Sequence, residues 1–217
     1  MTLRRLAILA AVTLGVGCSA AFAATLGVGS WHVWAGSQAL TKGTCTVTGT
    51  SGTTDTCVDE HFSTTSFGSS TTLTVGPKTN LRTWALIRFD LSGCNIPSTG
   101  GADSATLSLR IITAPNSSQT IDIAPVLTTW SGATTWTGAQ ALTVGANFAS
   151  IATGTTNNVT KTVAVTADVD SLIRNGSAGF GWRLSQTGSN ANVSTTFGSS
   201  ENATTANQPQ LVINYEK

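Results

Sequence analysis

Side chains that could perform acid–base or nucleophilic catalysis are few in this sequence. His32 and His61 are its two histidines, and ten acidic residues are spread over 217 positions. The G-x-S-x-G turn that commonly presents a serine nucleophile does not occur. The spacing of the acids also singles out no pair of the kind that glycoside hydrolysis requires. The sequence therefore predicts a protein that is not an enzyme.

Aromatic and basic side chains indicate a different chemistry, the binding of sugars. Sugar rings stack their C–H faces on tryptophan, and their hydroxyl groups form hydrogen bonds with the polar side chains around it. Trp130 and Trp136 stand in a Thr/Ser/Gly-rich stretch and are the first candidates for this stacking, with packing inside the fold as the alternative. Arg82 and Arg183 are candidates for contacts with an acidic sugar.

The strongest strand signal in the chain is the stretch 83–91. Alternate residues share one face of a strand, so residues 85, 87, 89 and 91 form a wholly apolar face. The opposite face begins with Trp84 and ends with Arg88 and Asp90. Apolar residues on both faces are typical of a strand inside a sheet, so we expect this strand in the middle of a β-sandwich. Trp84, and Trp182 in a later predicted strand, are expected to pack mainly in the core.

The remaining sequence favours an all-β protein. Charged residues make up only 10 % of the chain, and Thr, Ser, Gly and Asn take their place. Short alternating segments between turn residues predict about nine strands, and residues 167–175 predict one short helix with Thr166 as its cap. We expect a single jelly-roll-like β-sandwich.

The start of the chain has the pattern of an export signal. Arg4 and Arg5 precede an apolar run too short for a membrane span, and residues 21–23 have the small-x-small form of a signal peptidase site. We therefore interpret residues 1–23 as a signal peptide and expect a secreted protein, at the cell surface or in the extracellular matrix. A lipoprotein signal at Cys18 and a twin-Arg signal are the alternatives.

Removal of this signal leaves a nearly neutral protein. Eleven Lys and Arg minus Arg4 and Arg5 leave nine, against ten Asp and Glu. Such a balance excludes the strongly basic surface that nucleic acid or an acidic membrane attracts.

Three cysteines remain after residue 23, and an exported protein can oxidise them. Cys45 and Cys57 flank a Thr/Gly/Ser-rich turn, and we predict that they form a disulfide. A pairing of either one with Cys94 is the open alternative.

Residues 24–57 are predicted to form an N-terminal extension, and residues 58–217 the sandwich. The extension carries Trp31 and Trp34 without a clean strand or helix pattern. It indicates a second function class, in which the protein is a structural subunit of an extracellular assembly and donates this segment to a neighbour.

Beyond these patterns, the chain resembles the DNRLRE family, which is grouped with carbohydrate-binding module family 96. The matching segments follow the family order and cover nearly all of residues 58–216: 59–62, 67–76, 85–92, 104–109, 130–136, 163–166, 178–184, 197–201 and 209–215. Two departures are Ser200, where the family has Arg, and residues 131–133, which lack the usual acidic residue between the two tryptophans.

This resemblance implies a secreted jelly-roll-like sandwich that binds polysaccharides, including acidic ones. It also implies that Asp59, Arg88, Asp90 and Glu201 come from segments that could meet. We therefore expect an ion pair between Arg88 and Glu201, or Asp59, because a buried Arg requires a partner. Calcium held by Asp59 and Asp90 is the rival expectation, since carboxylate oxygens are its preferred ligands.

Overall fold

The computed structural model describes residues 24–25, 30–31, 41–78, 81–97, 99–174, 181–186 and 193–216. The predicted signal peptide, His32 and Trp34 lie outside these residues. The chain divides into two compact units, residues 1–40 and 41–217. In the first unit, the short strands β1 (Ala24–Thr25) and β2 (Ser30–Trp31) pair antiparallel.

The second unit is a β-sandwich, so the predicted all-β fold is confirmed. Its strands in chain order are β3 (Lys42–Thr48), β4 (Thr53–Asp59), β5 (Thr72–Val75), β6 (Thr83–Phe89), β7 (Ala102–Thr113), β8 (Thr120–Pro125), β9 (Ala149–Ala152), β10 (Val159–Ala164), β11 (Trp182–Gln186), β12 (Thr195–Gly198) and β13 (Gln210–Glu216). Its helices are α1 (Trp136–Gln140) and α2 (Thr166–Arg174). None of the helices in the described part of the chain is long and apolar enough to span a membrane.

Two antiparallel sheets form the layers of the sandwich. The five-stranded sheet has the order β4-β6-β11-β8-β9. The six-stranded sheet has the order β3-β13-β7-β12-β5, and β10 pairs with the other edge of β7. β6 lies between β4 and β11, as its apolar residues on both faces predict.

The main core lies between the sheets and is formed by alternate residues of their strands. β6 contributes Ala85, Ile87 and Phe89, and β11 contributes Trp182 and Leu184. A second, smaller cluster includes Leu86, which alternates with these residues and therefore lies on the outer face of the five-stranded sheet. Its buried members are Val58, Leu86, Val126, Trp130, Trp136 and Ala139.

The sandwich begins earlier than residue 58. β3 pairs with β13 along its whole length, and β4 pairs with β6 from Thr53 onward. The sequence assigns residues 42–57 to the extension, but most of them belong to strands, one in each sheet. β3 has a weak sequence signal because it is an edge strand with only Val47 buried.

The predicted Cys45–Cys57 disulfide is wrong, and the alternative partner Cys94 is correct. Cys45 lies on β3 of one sheet, whereas Cys57 lies on β4 of the other, and facing sheets are about 10 Å apart. Cys94 follows β6 in a short turn and bonds to Cys45 with a Cα–Cα distance of 5.5 Å. Cys57 is a free, buried thiol whose pKa is raised by burial.

The disulfide therefore joins β3 of one sheet to the turn that follows β6 of the other. Its two cysteines are 49 residues apart in sequence. A loop of this length corresponds to about 4 kcal/mol of stabilisation in the loop-entropy model.

Helix α2 lies where the sequence predicts it and packs against β7. The Thr166 hydroxyl accepts a hydrogen bond from the Ala105 amide at 3.0 Å. Asp170 and Arg174 form an ion pair one turn apart at 2.8 Å. Val169 is fully buried against the core.

Candidate functional site

The outer face of the five-stranded sheet carries a group of aromatic and basic side chains. Trp84 projects there from β6, and Arg183 projects there from the neighbouring strand β11, because both alternate with core residues. Arg82 precedes β6, and Trp136 is the first residue of α1, which covers part of this face. We call Trp84, Trp136, Arg82 and Arg183 the tryptophan–arginine face.

Trp84 is the centre of this face. Its ring centroid lies 4.3 Å from that of Trp136, with the two planes inclined by 40°. The guanidinium carbon of Arg183 lies 4.7 Å from the Trp84 ring centroid, and that of Arg82 lies 5.8 Å away. These distances are within the range of cation–π attraction. The two arginines are thereby held beside one partly exposed indole.

Trp136 supports this arrangement from below rather than forming its surface. It is only 3 % exposed, and Arg82 lies over its ring at 5.1 Å. Its position is set by the start of α1, where the Thr135 side chain accepts a hydrogen bond from the Gly138 amide. The Thr137 amide also donates to the Ser63 carbonyl at 3.1 Å. The helix is thus attached to the loop that follows β4.

The two arginines have different electrostatic surroundings. Arg82 forms two hydrogen bonds of 3.1 Å with the Glu60 carboxylate, which hold the pKa of Glu60 below its usual range. Arg183 is partly buried, and burial lowers its pKa. Its Nε atom is buried and has no hydrogen-bond partner among the described residues. None of the ion pairs among these residues involves Arg183, so its guanidinium charge, unlike that of Arg82, is not neutralised by a carboxylate.

A row of polar residues continues from Trp84 across the sheet. Ser185 is one residue beyond the Leu184–Ala85 pair and thus lies beside Trp84 on the outer face. Ser185 is paired in register with Asp122 of β8, and Asp122 with Ser150 of β9. An indole followed by hydroxyl and carboxylate groups in line is an arrangement that an extended sugar chain can contact.

Trp130 belongs to the same side of the sheet but not to its accessible surface. It is 5 % exposed, and the Arg88 guanidinium carbon lies 5.4 Å from its ring centroid. Arg88 also donates a 3.4 Å hydrogen bond to the Trp130 carbonyl. The sequence prediction of Trp130 and Trp136 as stacking platforms is thus corrected, because both rings are buried in the second cluster, and Trp84 is the accessible ring instead.

The predicted ion pair between Arg88 and Glu201 is wrong as well. Arg88 points to the outer face of the five-stranded sheet, where it contacts Trp130. Glu201 lies next to Asp55, whose side chain is on the core-facing side of β4. The sheet itself separates the two charges. Asp59 accepts a hydrogen bond from the His61 amide and does not pair with Arg88 either.

Asp59 and Asp90 do not converge on one calcium site. Asp59 pairs in register with Thr83 at the start of β6, whereas Asp90 follows Phe89 at its end. Seven residues of strand therefore separate them, which corresponds to about 23 Å. Asp90 instead accepts a 2.9 Å hydrogen bond from the Ser92 amide. No three His, Cys, Asp or Glu side chains gather as metal ligands in the described part of the chain.

The structure brings together three of the four predicted ligand-binding residues, Trp136, Arg82 and Arg183. Sequence reasoning ranked Trp84 below Trp130, because a tryptophan in a strand is usually a core residue. It also missed Glu60 and the row of residues 185, 122 and 150. The alternation of β6 was the available signal, since it places Trp84 opposite the core residues.

Comparison of the sequence with known protein families gives one match. The model of carbohydrate-binding module family 96 matches residues 46–215. The chain belongs to this family. The match includes all of β4 and the last three residues of β3, in agreement with a sandwich that begins before residue 58. No curated protein matches the chain.

Proposed function

We propose that this family member is a secreted, non-catalytic module that binds a polysaccharide carrying carboxylate groups, and that the tryptophan–arginine face is its binding site. The observation that carries the proposal is the partly exposed Trp84 ring with Arg82 and Arg183 beside it on an open sheet face. An indole can stack on a sugar ring, and guanidinium groups form paired hydrogen bonds with carboxylates.

Arg183 is the residue that distinguishes an acidic ligand from a neutral one. It forms no ion pair among the described residues, so a sugar carboxylate can approach its guanidinium group without displacing another carboxylate. Arg82, in contrast, already forms an ion pair with Glu60. Its main contribution is to the arrangement of the Trp84 and Trp136 rings that it contacts. We therefore expect binding that weakens with added salt, because the attraction between exposed charges is screened.

The test is affinity electrophoresis and calorimetry of the purified protein with polyuronates and with neutral polysaccharides of similar length. Arg183→Gln should weaken polyuronate binding about tenfold or more, as expected for the loss of a charge-assisted hydrogen bond of 1.4 kcal/mol or more. Arg110→Gln is the matched control. Arg110 is also a strand arginine whose Nε lacks a partner, but it belongs to β7 of the opposite sheet.

Equal binding by the two variants would contradict the assignment of the site. Binding of neutral polysaccharides alone, unaffected by Arg183→Gln, would contradict the acidic substrate. No binding of either class, together with large particles in a measurement of solution mass, would instead support the structural-subunit function.

A further inference from the structure

A pair of carboxylates lies at one edge of the sandwich, away from the tryptophan–arginine face. Asp55 is on β4, the edge strand of the five-stranded sheet, and Glu201 follows β12 of the six-stranded sheet. The Ser200 amide donates a 2.7 Å hydrogen bond to Asp55 Oδ2. The Asp55 and Glu201 carboxyl groups are within hydrogen-bonding distance of each other. The contact therefore connects the two layers of the fold.

Oxygen atoms without partners are concentrated at this contact. Asp55 is 2 % exposed and Ser200 is fully buried, yet Asp55 Oδ1 and Ser200 Oγ have no hydrogen-bond partner among the described residues. Glu201 Oε2 is also buried without a partner. Each buried and unsatisfied polar group costs about 1–3 kcal/mol, and charged groups cost more. The protein's own described side chains therefore do not satisfy these oxygens.

In the described part of the chain, no basic side chain forms an ion pair with Asp55 or Glu201. The ion pairs among the described residues join Lys42 to Asp103, Arg82 to Glu60 and Arg174 to Asp170, and none of them involves Asp55 or Glu201. The turn beside the pair contributes the Ser200 amide, which donates to Asp55, and the Ser199 hydroxyl, which accepts from the Glu201 amide. Two carboxylates without a basic partner are an unfavourable combination unless a cation or a shared proton neutralises part of their charge.

The turn that presents Ser200 and Glu201 is held in place by its own hydrogen bonds. The Gln208 side chain donates to the Ser200 and Asn202 carbonyls at 3.0 and 2.9 Å. The Glu201 amide donates to Ser199 Oγ at 3.2 Å. The position of the Glu201 backbone therefore does not depend on what its side chain binds.

We propose that Asp55, Glu201 and Ser200 hold a divalent calcium-class cation that fastens β4 to the turn after β12. The three unpartnered atoms are all oxygens, which suits a hard cation rather than zinc, whose ligands include nitrogen and sulfur. Water molecules complete the coordination on the side of Glu201, which is the partly exposed member of the set. With only two carboxylates, the expected affinity is that of weak extracellular sites, about 10⁻⁴–10⁻³ M.

A proton is the competing occupant of the same contact. Burial, and secondarily the Glu201 charge, raise the pKa of Asp55 to about 7. In the absence of a cation, one proton can be shared between the two carboxyl groups. Experiments at pH 8 therefore favour the cation, because the proton is released there.

The test is thermal unfolding of the purified protein after dialysis against EDTA, at pH 8, with increasing calcium chloride. We expect the melting temperature to rise by about 3–5 °C when calcium reaches ten times its Kd. Magnesium should have a smaller effect, since it demands a stricter geometry and loses its water reluctantly. Equilibrium dialysis with radioactive calcium should give one bound ion per chain at this site.

Glu201→Gln and Asp55→Asn should abolish both the temperature shift and the bound ion. If Asp55→Asn does not fold, Glu201→Gln alone tests the proposal. Glu201 is partly exposed, so its substitution should be tolerated by the fold. Asp59→Asn is the matched control, since Asp59 is a buried acid on the same face of β4 and should leave the calcium response unchanged.

Two results would overturn the proposal. The first is a melting temperature that calcium does not change, with stability in EDTA that falls as the pH rises from 4 through 7. That sign belongs to an acid whose folded-state pKa is raised, and it would assign the contact to a shared proton. The second is a calcium response that survives Glu201→Gln but disappears in Asp59→Asn.

Discussion

Two strand tryptophans, Trp182 and Trp84, have opposite surroundings although they lie on neighbouring strands. Trp182 is buried between the sheets, where its indole N–H donates a 2.7 Å hydrogen bond to Asp168 of α2. Trp84 lies on the outer face, where two guanidinium groups approach its ring. A buried tryptophan whose N–H is satisfied by a partly buried carboxylate stabilises the fold. A tryptophan with arginines beside a partly exposed ring has the surroundings that the proposed polysaccharide binding requires.

The largest expected effect is the difference in stability between variants of Trp182 and Trp84. Trp182→Ala should lower the free energy of unfolding by about 3–5 kcal/mol, because it leaves a cavity in the main core. Trp84→Ala should cost only about 1–2 kcal/mol, because part of this ring is exposed, but it should abolish polysaccharide binding. Urea unfolding and calorimetric titration measure the two effects. Equal stability losses in the two variants would remove the distinction between the tryptophans.

A pH effect on stability is also expected in the region of Trp182. Burial raises the pKa of Asp168 from its ordinary 3.8, and the Trp182 hydrogen bond lowers it by less. A raised folded-state pKa means that the stabilising contribution is complete below the unfolded-state pKa and is lost as the pH rises through the folded-state value. Asp168→Asn should therefore lose less stability than the wild type between pH 4 and pH 7.

Urea unfolding at several pH values measures this difference. Asp103→Asn is the control, because Asp103 is exposed and pairs with Lys42 on the other sheet. Its stability should follow the wild-type pH profile. A profile of Asp168→Asn that is parallel to the wild type would show that the carboxyl near Trp182 does not titrate differently on folding.

The smallest effect is expected at Arg82, at the rim of the tryptophan–arginine face. Arg82→Gln removes an exposed ion pair with Glu60, so its cost in stability should be below about 1 kcal/mol. Polyuronate affinity should fall by about fivefold or less, which corresponds to 1 kcal/mol. Glu60→Gln keeps Arg82 and removes the carboxylate that competes with the ligand for it. The polyuronate affinity of this variant should therefore not fall. A loss of affinity in Glu60→Gln would mean that orientation of Arg82 matters more than its charge.

The sequence predicted the faces of β6 well, because alternation depends only on neighbouring residues. It correctly separated Ile87 and Phe89 from Trp84 and Arg88. It could not predict which part of the outer face is covered. The cover is α1 and its flanking loops, and these bury Trp130 and Trp136 while leaving Trp84 partly exposed.

Contacts between distant segments were the least predictable. The Asp55–Ser200 contact joins residues 145 positions apart, and nothing in the local pattern of β4 marks Asp55 as a partner of that turn. The disulfide was mispredicted for a related reason. Nearness in sequence favoured Cys57, whereas the chain crosses from one sheet to the other between β3 and β4.

The Cys45–Cys94 disulfide also bears on the order in which the chain folds. Both cysteines precede β7, yet the strand that pairs with Cys45 in the sheet is β13, through Ile213. In a chain synthesised from its amino end, the cross-link can form before β13 exists. It then holds β3 beside the end of β6, in place to pair with β13. β13 also contacts the disulfide region directly, because the Tyr215 hydroxyl donates a hydrogen bond to the Cys94 carbonyl. Oxidation early in synthesis would thus shorten the search for the longest-range pairing in the sandwich.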